Sequence, residues 1–163
     1  MANLFLSPLE MSKAISDIGE KKANETIFEL FIFGVLAGIY IAFGAAVATA
    51  VSSGGTLDAG LAKFLAGSVF SVGLILVLIL GSELFTGNIL MTIGLIYQKY
   101  SFTRVLRNWL VVYLGNFLGS MIIAWLVFNS GLLVHLGSLT SIGDVSVKVA
   151  ETKLRKTLVK EYF

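Results

Sequence analysis

Gly81-Ser82-Glu83-Leu84-Phe85-Thr86-Gly87-Asn88 interrupts an otherwise apolar run that extends from Phe64 to Tyr97. A run of that length can cross a bilayer as one helix, yet its centre carries two glycines, two hydroxyls, an amide and a carboxylate. Hydrocarbon has no water to satisfy freed backbone groups, so irregular backbone at membrane depth persists only where it is buried in protein or faces an aqueous cavity. The stretch therefore predicts an interrupted membrane helix forming the floor or gate of a permeation path, as in transporters built from discontinuous helices.

Composition agrees with a membrane setting. The chain is 56% hydrophobic and 13% charged, against roughly 25% charged in soluble domains. A formal net charge of +2, scattered along the chain, gives no nucleic-acid footprint. The absence of cysteine removes disulfides, thiolate nucleophiles and sulfur metal sites. No paired catalytic carboxylates, histidine cluster or nucleophile with its base appears, so the sequence reads as a non-enzyme that needs no cofactor.

Working outward, the chain reads as a single membrane domain over 1–163. Residues 1–28 form a cytoplasmic amphipathic segment: Ser7 caps, Pro8 takes the first helical position and Glu10 closes a capping box. Met11, Ala14, Ile15 and Ile18 follow on one apolar face, until Gly19 ends the pattern. That face suits packing on protein or lying in the bilayer interface. Residues 29–129 hold three spans, with a break near 78–88. Span one is uncharged from Leu30 to Leu57, and Gly34, Gly38, Ala42, Ala46 and Ala50 give it a small-residue ridge for close helix packing. Span two divides into Phe64–Leu80 and Ile89–Tyr97. Span three runs from Asn108 to Phe128, with Gly115 and Gly119 as a second close-packing patch. Residues 130–163 read as an outer loop leading to a fourth span that would begin where the chain ends.

Lys21, Lys22, Lys99, Arg104 and Arg107 lie near span ends on one side, against mainly Lys63 on the other, which places the N-terminus in the cytoplasm. The basic group Lys148, Lys153, Arg155, Lys156 and Lys160 would then be outside, well beyond span three, where the rule has less force. The segment from Lys22 to Phe31 also has an echo from Lys153 to Tyr162: lysine, threonine four later, an aromatic nine later. With an odd number of spans between the copies, such a repeat is inverted, the arrangement that puts sites near the midplane.

Taken with Asn108-Trp109-Leu110-Val111-Val112-Tyr113-Leu114-Gly115-Asn116 and Asp17-Ile18-Gly19-Glu20-Lys21-Lys22-Ala23, the break motif resembles the formate/nitrite transporter family over essentially the whole chain. The resemblance implies an all-α, multi-span membrane protein: an aquaporin-like half with three spans, the second a broken helix, as the first inverted repeat of a six-span fold. It implies a channel or proton-coupled transporter for small monovalent anions such as formate, nitrite or hydrosulfide, in a bacterial inner membrane, assembled as a homopentamer. Carried over by position, Phe70, Leu74 and Leu84 would be apolar constrictions, Thr86 would offer its hydroxyl to the anion, and Lys22 and Lys153 would sit in the inner and outer vestibules. The second half, with its central histidine, has no counterpart here, and His135 does not match that position. The resemblance thus implies a fragment of a longer transporter.

These residue types suit anion passage. A lysine at each mouth concentrates anions, a hydroxyl and free N–H groups at a half-helix start donate to them, and apolar rings exclude cations. Blander readings stand beside these. Glu83 reads as a structural carboxylate accepting backbone N–H groups, together with Gly81, Gly87 and Asn88 as structural residues of the break. Thr86 can cap the second half-helix, Phe70, Leu74 and Leu84 by themselves are ordinary packing residues, Lys22 and Lys153 are solvated cations, and Asn88 and Asn116 hydrogen-bond across helices. The alternative for the whole chain is a non-conducting membrane scaffold or assembly protein.

Overall fold

The computed structural model describes residues 5–55 and 57–160. Tyr162, at the end of the second repeat copy, and Phe163 lie outside the described residues, as do the side chains of Thr157 and Lys160.

Helix α1 (Pro8–Asn24) starts at the Ser7/Glu10 capping box: Ser7 N–H donates to Glu10 Oε2 at 2.7 Å and Glu10 N–H to Ser7 Oγ at 3.4 Å. It does not stop at Gly19. The helix continues for another turn because Gly19 serves close packing: a Cβ there would collide with the Tyr100 hydroxyl and lie 3.1 Å from its Cζ. The buried face is likewise made of small residues, Ser16, Gly19 and Ala23, while Met11 and Ile18 stay exposed. Of the two settings open to α1, the structure shows packing on protein, against the short helix α5 (Met91–Ile96).

Helix α2 (Ile27–Ser52) opens with a second capping box, Thr26 with Glu29. It, α3 (Ala59–Ile79) and α6 (Phe102–Asn129) are the three helices long and apolar enough to cross a membrane among the described residues. Between α3 and α6 lie α4 (Phe85–Asn88) and α5 (Met91–Ile96). Helix α6 begins six residues before the expected span and takes Arg104 and Arg107 into its first turns, since a helix extends beyond the hydrocarbon where charged side chains reach water. The segment read as an outer loop carries a hairpin, β1 (Val134–His135) with β2 (Ser138–Leu139), and then α7 (Ser141–Lys160). Thr140 caps α7, accepting the Gly143 N–H at 3.1 Å, with Asp144 in the first turn.

Contacts group the chain into two compact units. The first comprises Met1–Ile39 and Val77–Ser120. Here α2 and α6 approach backbone to backbone. A Cβ on Gly115 would lie 2.8 Å from the Phe31 carbonyl, and one on Gly38 would run into the Asn116 carbonyl. Small residues permit this approach, which membrane helices use in place of hydrophobic burial. A separate cluster of Ala23, Met91, Tyr100 and Val105, backed by Leu95 and Trp109, forms the core beneath α1. The second unit comprises Tyr40–Leu76 and Met121–Phe163. In it Gly44 and Gly73 bring α2 and α3 together, a Cβ on Gly73 reaching 2.8 Å from the Tyr40 carbonyl.

Candidate functional site

The break follows from a helix stop and a set of side chains that satisfy what the stop leaves open. Helix α3 ends in a Schellman arrangement: Gly81 takes φ +64°, and the Ser82 N–H turns back to the Val77 carbonyl at 3.0 Å. A Cβ on Gly81 would meet open space, so it is the left-handed φ that favours glycine there. The chain then runs extended through Leu84 and restarts as α4 with no side-chain cap. Glu83 N–H is accepted by the Phe33 carbonyl of α2 at 3.2 Å.

Glu83 is 4% exposed and Asn88 1%. Lys22 Nζ donates to Glu83 Oε1 at 2.6 Å and to Asn88 Oδ1 at 2.9 Å. Asn88 Nδ2 donates to Glu83 Oε2 at 2.6 Å and to Asn108 Oδ1 at 2.8 Å, and Trp109 Nε1 to the Asn88 carbonyl at 2.9 Å. The Glu83 carboxylate thus accepts from side chains, not from loop N–H groups as its sequence position suggests. The reason is reach: α1 delivers an ammonium and α4 an amide to both oxygens. Every polar atom of the Asn88 side chain is engaged, which is what burial demands of it.

Nearby, Arg107 Nη2 donates to the carbonyls of Ala23 (2.9 Å) and Glu25 (3.0 Å), closing the end of α1. Burial raises the Glu25 carboxyl above its ordinary range, and the Glu83 charge adds to this against the lowering effect of Lys22 and Lys21.

Of the residues singled out in the sequence, Lys22, Glu83 and Asn88 come together in one network. Leu84 is half-buried beside it, and Thr86 is exposed on α4. Thr86 does not cap α4, whose N-cap position is Leu84, and its hydroxyl has no hydrogen bond among the described residues. Its neighbour Phe85 packs edge-on against Trp109 and Tyr113, with centroids 6.2 and 5.6 Å away. Gly87 lies in α4 with open space where a Cβ would stand. Phe70 and Leu74 are on α3 in the second unit, four apart and therefore on one face, 42% and 44% exposed. Lys153 is on the exposed side of α7. Sequence reading missed Asn108 and Trp109 as partners of the break, and Arg107 as the closure of α1. Only their polar character within or beside an apolar span signalled them.

The sequence profile described as Formate/nitrite transporter matches residues 9–163. A probable formate transporter of Methanothermobacter thermautotrophicus is 37% identical, over 97% of this chain and 62% of its own length. A formate channel of Haemophilus influenzae is 39% identical over 80% of this chain and 46% of its own. Among solved structures, an FNT family ion channel superposes with a TM-score of 0.68 at 24% identity, over 76% of this chain and 50% of that one. The chain therefore spans about half the length of the relatives it matches.

Proposed function

This chain belongs to the formate/nitrite transporter family, and from that premise we propose that it supplies the first three-span half of a pore for small monovalent anions such as formate. The observation that carries the reading is the neutralised break. Lys22 and Asn88 occupy both oxygens of Glu83, so the one carboxylate in the break does not confront an anion with an unpaired charge. The exposed Thr86 hydroxyl beside it is then a donor facing the route. Leu84 in the first unit, and Phe70 and Leu74 in the second, are each read as an apolar constriction, and Lys22 and Lys153 as cations that attract anions, as the resemblance implies. The lysine and arginine distribution supports a cytoplasmic N-terminus, and a bacterial inner membrane is what the family resemblance implies. Nitrite and hydrosulfide fit the same chemistry, and a proton accompanying the anion would let it cross as the neutral acid.

Formate flux into proteoliposomes that hold the chain together with a second three-span half tests this. Thr86→Leu is expected to lower the flux about tenfold, the effect of losing one hydrogen bond of about 1.5 kcal/mol to a charged group. Undiminished conduction by Thr86→Leu overturns the assignment of the anion contact. A wild-type protein that carries no anion overturns the pore and favours a scaffold.

A further inference from the structure

Asn116 lies midway along α6, and its carboxamide has three bonds in three directions. Nδ2 donates to the Gly34 carbonyl of α2 and to the Glu83 carbonyl, both at 2.8 Å, and Oδ1 accepts the Phe85 N–H at 2.9 Å. The last two bonds straddle a single residue. The Glu83 carbonyl belongs to the peptide before Leu84 and the Phe85 N–H to the peptide after it. Each peptide is a rigid plane, so pinning both fixes φ and ψ of Leu84, the only soft backbone torsions that residue has. Leu84 is extended, at φ −108° and ψ 125°. In that conformation the preceding carbonyl and the following N–H point the same way, as along one edge of a strand, and one carboxamide can bridge them.

The bracket is mounted on a stiff support. Gly38 of α2 leaves no room for a Cβ against the Asn116 carbonyl, and a Cβ on Gly34 would lie 3.2 Å from the Val112 carbonyl and 3.3 Å from Gly115 Cα. The bond to Gly34 ties the carboxamide itself to that contact. Helix α4 lacks a cap of its own, so Asn116 supplies from another helix an acceptor for one of the N–H groups a helix start leaves open.

We propose that Asn116 is a positioning residue that sets the aperture at Leu84, and through it the discrimination by size among small monovalent anions. This rests on the reading of Leu84 as a constriction. The side chain never needs to touch the anion. It acts by denying Leu84 the backbone freedom that would let its isobutyl group swing aside.

Two measurements on the purified protein test the proposal. The first is hydrogen exchange in the peptide covering Glu83 to Phe85, where Asn116→Ala is expected to speed exchange while assembly is unchanged. The second is the ratio of formate to acetate flux in proteoliposomes that hold the chain together with a second three-span half, since acetate is larger by one methyl group. Leu84→Ala and Asn116→Ala should each lower that ratio about tenfold, the discrimination one methylene commands. The double variant should lower it no further, because the two act through one aperture. Where Asn116→Ala does not assemble, Asn116→Ser gives the same comparison. Unchanged exchange overturns the bracket. Faster exchange with an unchanged ratio, or equal loss of both fluxes, overturns the aperture role and leaves Asn116 as a fold-holding residue. A wild-type protein that carries neither anion sinks the pore reading and the aperture role with it, while the exchange result still reports on the bracket.

Discussion

Glu83 shows how a single buried charge is tolerated. Its side chain keeps 5% of its exposure and that of Lys22 keeps 23%, with 2.6 Å between Nζ and Oε1. Removing one partner of such a pair leaves a charge without compensation and costs about 3–5 kcal/mol. Because Lys22 is partly solvated, Lys22→Met is expected at the low end, about 3 kcal/mol, read as a lower melting temperature of the protein in detergent. Lys22→Met combined with Glu83→Gln should recover much of that loss, since an amide can share the Asn88 bonds without a buried charge. If the double variant is as unstable as the sum of the two single ones, the pair is not the unit described. At this scale the sequence told which residues were out of place in an apolar run. It did not tell that Glu83 would be held by side chains, because its charged partner comes from position 22 and Asn88, on the other oxygen, is itself held by Asn108.

The element that most depends on tertiary context is α1. Its apolar positions suggest one face, but the packed face is Ser16, Gly19 and Ala23. What selects it is Tyr100, whose buried hydroxyl donates to the Met91 carbonyl at 2.6 Å. Gly19 of α1 and Gly94 of α5 both press on that hydroxyl. The helix is further held by the Ser12 Oγ···Tyr97 hydroxyl contact at 2.8 Å and by the ion pair of Lys99 with Asp17. Gly19→Ala is expected to loosen α1, and Tyr100→Phe to cost about 1 kcal/mol by removing the bond to the Met91 carbonyl. Because the Gly19 clash is chiefly with the hydroxyl, the two changes together should cost less than their sum. Limited proteolysis of α1 and thermal melting check this, and strict additivity would show that the Gly19 and Tyr100 contact carries no coupling. A small-residue face carries no hydrophobic periodicity, which is why the sequence pointed elsewhere.

At the scale of the whole molecule, Leu78 and Ile79 in the first unit and Phe64 and Trp125 in the second are each 65% exposed or more, apolar groups fit for lipid or for neighbouring copies. In line with the proposed pore, blue-native electrophoresis of the solubilised protein is expected to give the mass of five copies, and a monomer mass overturns the ring. The sequence by itself determined that this is an all-α membrane chain of the formate/nitrite transporter family with a broken second span. Length, apolarity and a helix-stopping glycine are local properties, and a polar insert in an apolar run is visible without any contact. Only the tertiary structure decided what holds the break. Lys22, Phe33, Asn108 and Asn116 are far from it in sequence, and a hydrogen bond has no signature until the fold brings donor and acceptor within reach. The glycine pairs that bring α2 against α6 in the first unit set that reach, and with it the place of the Asn116 carboxamide beside Leu84.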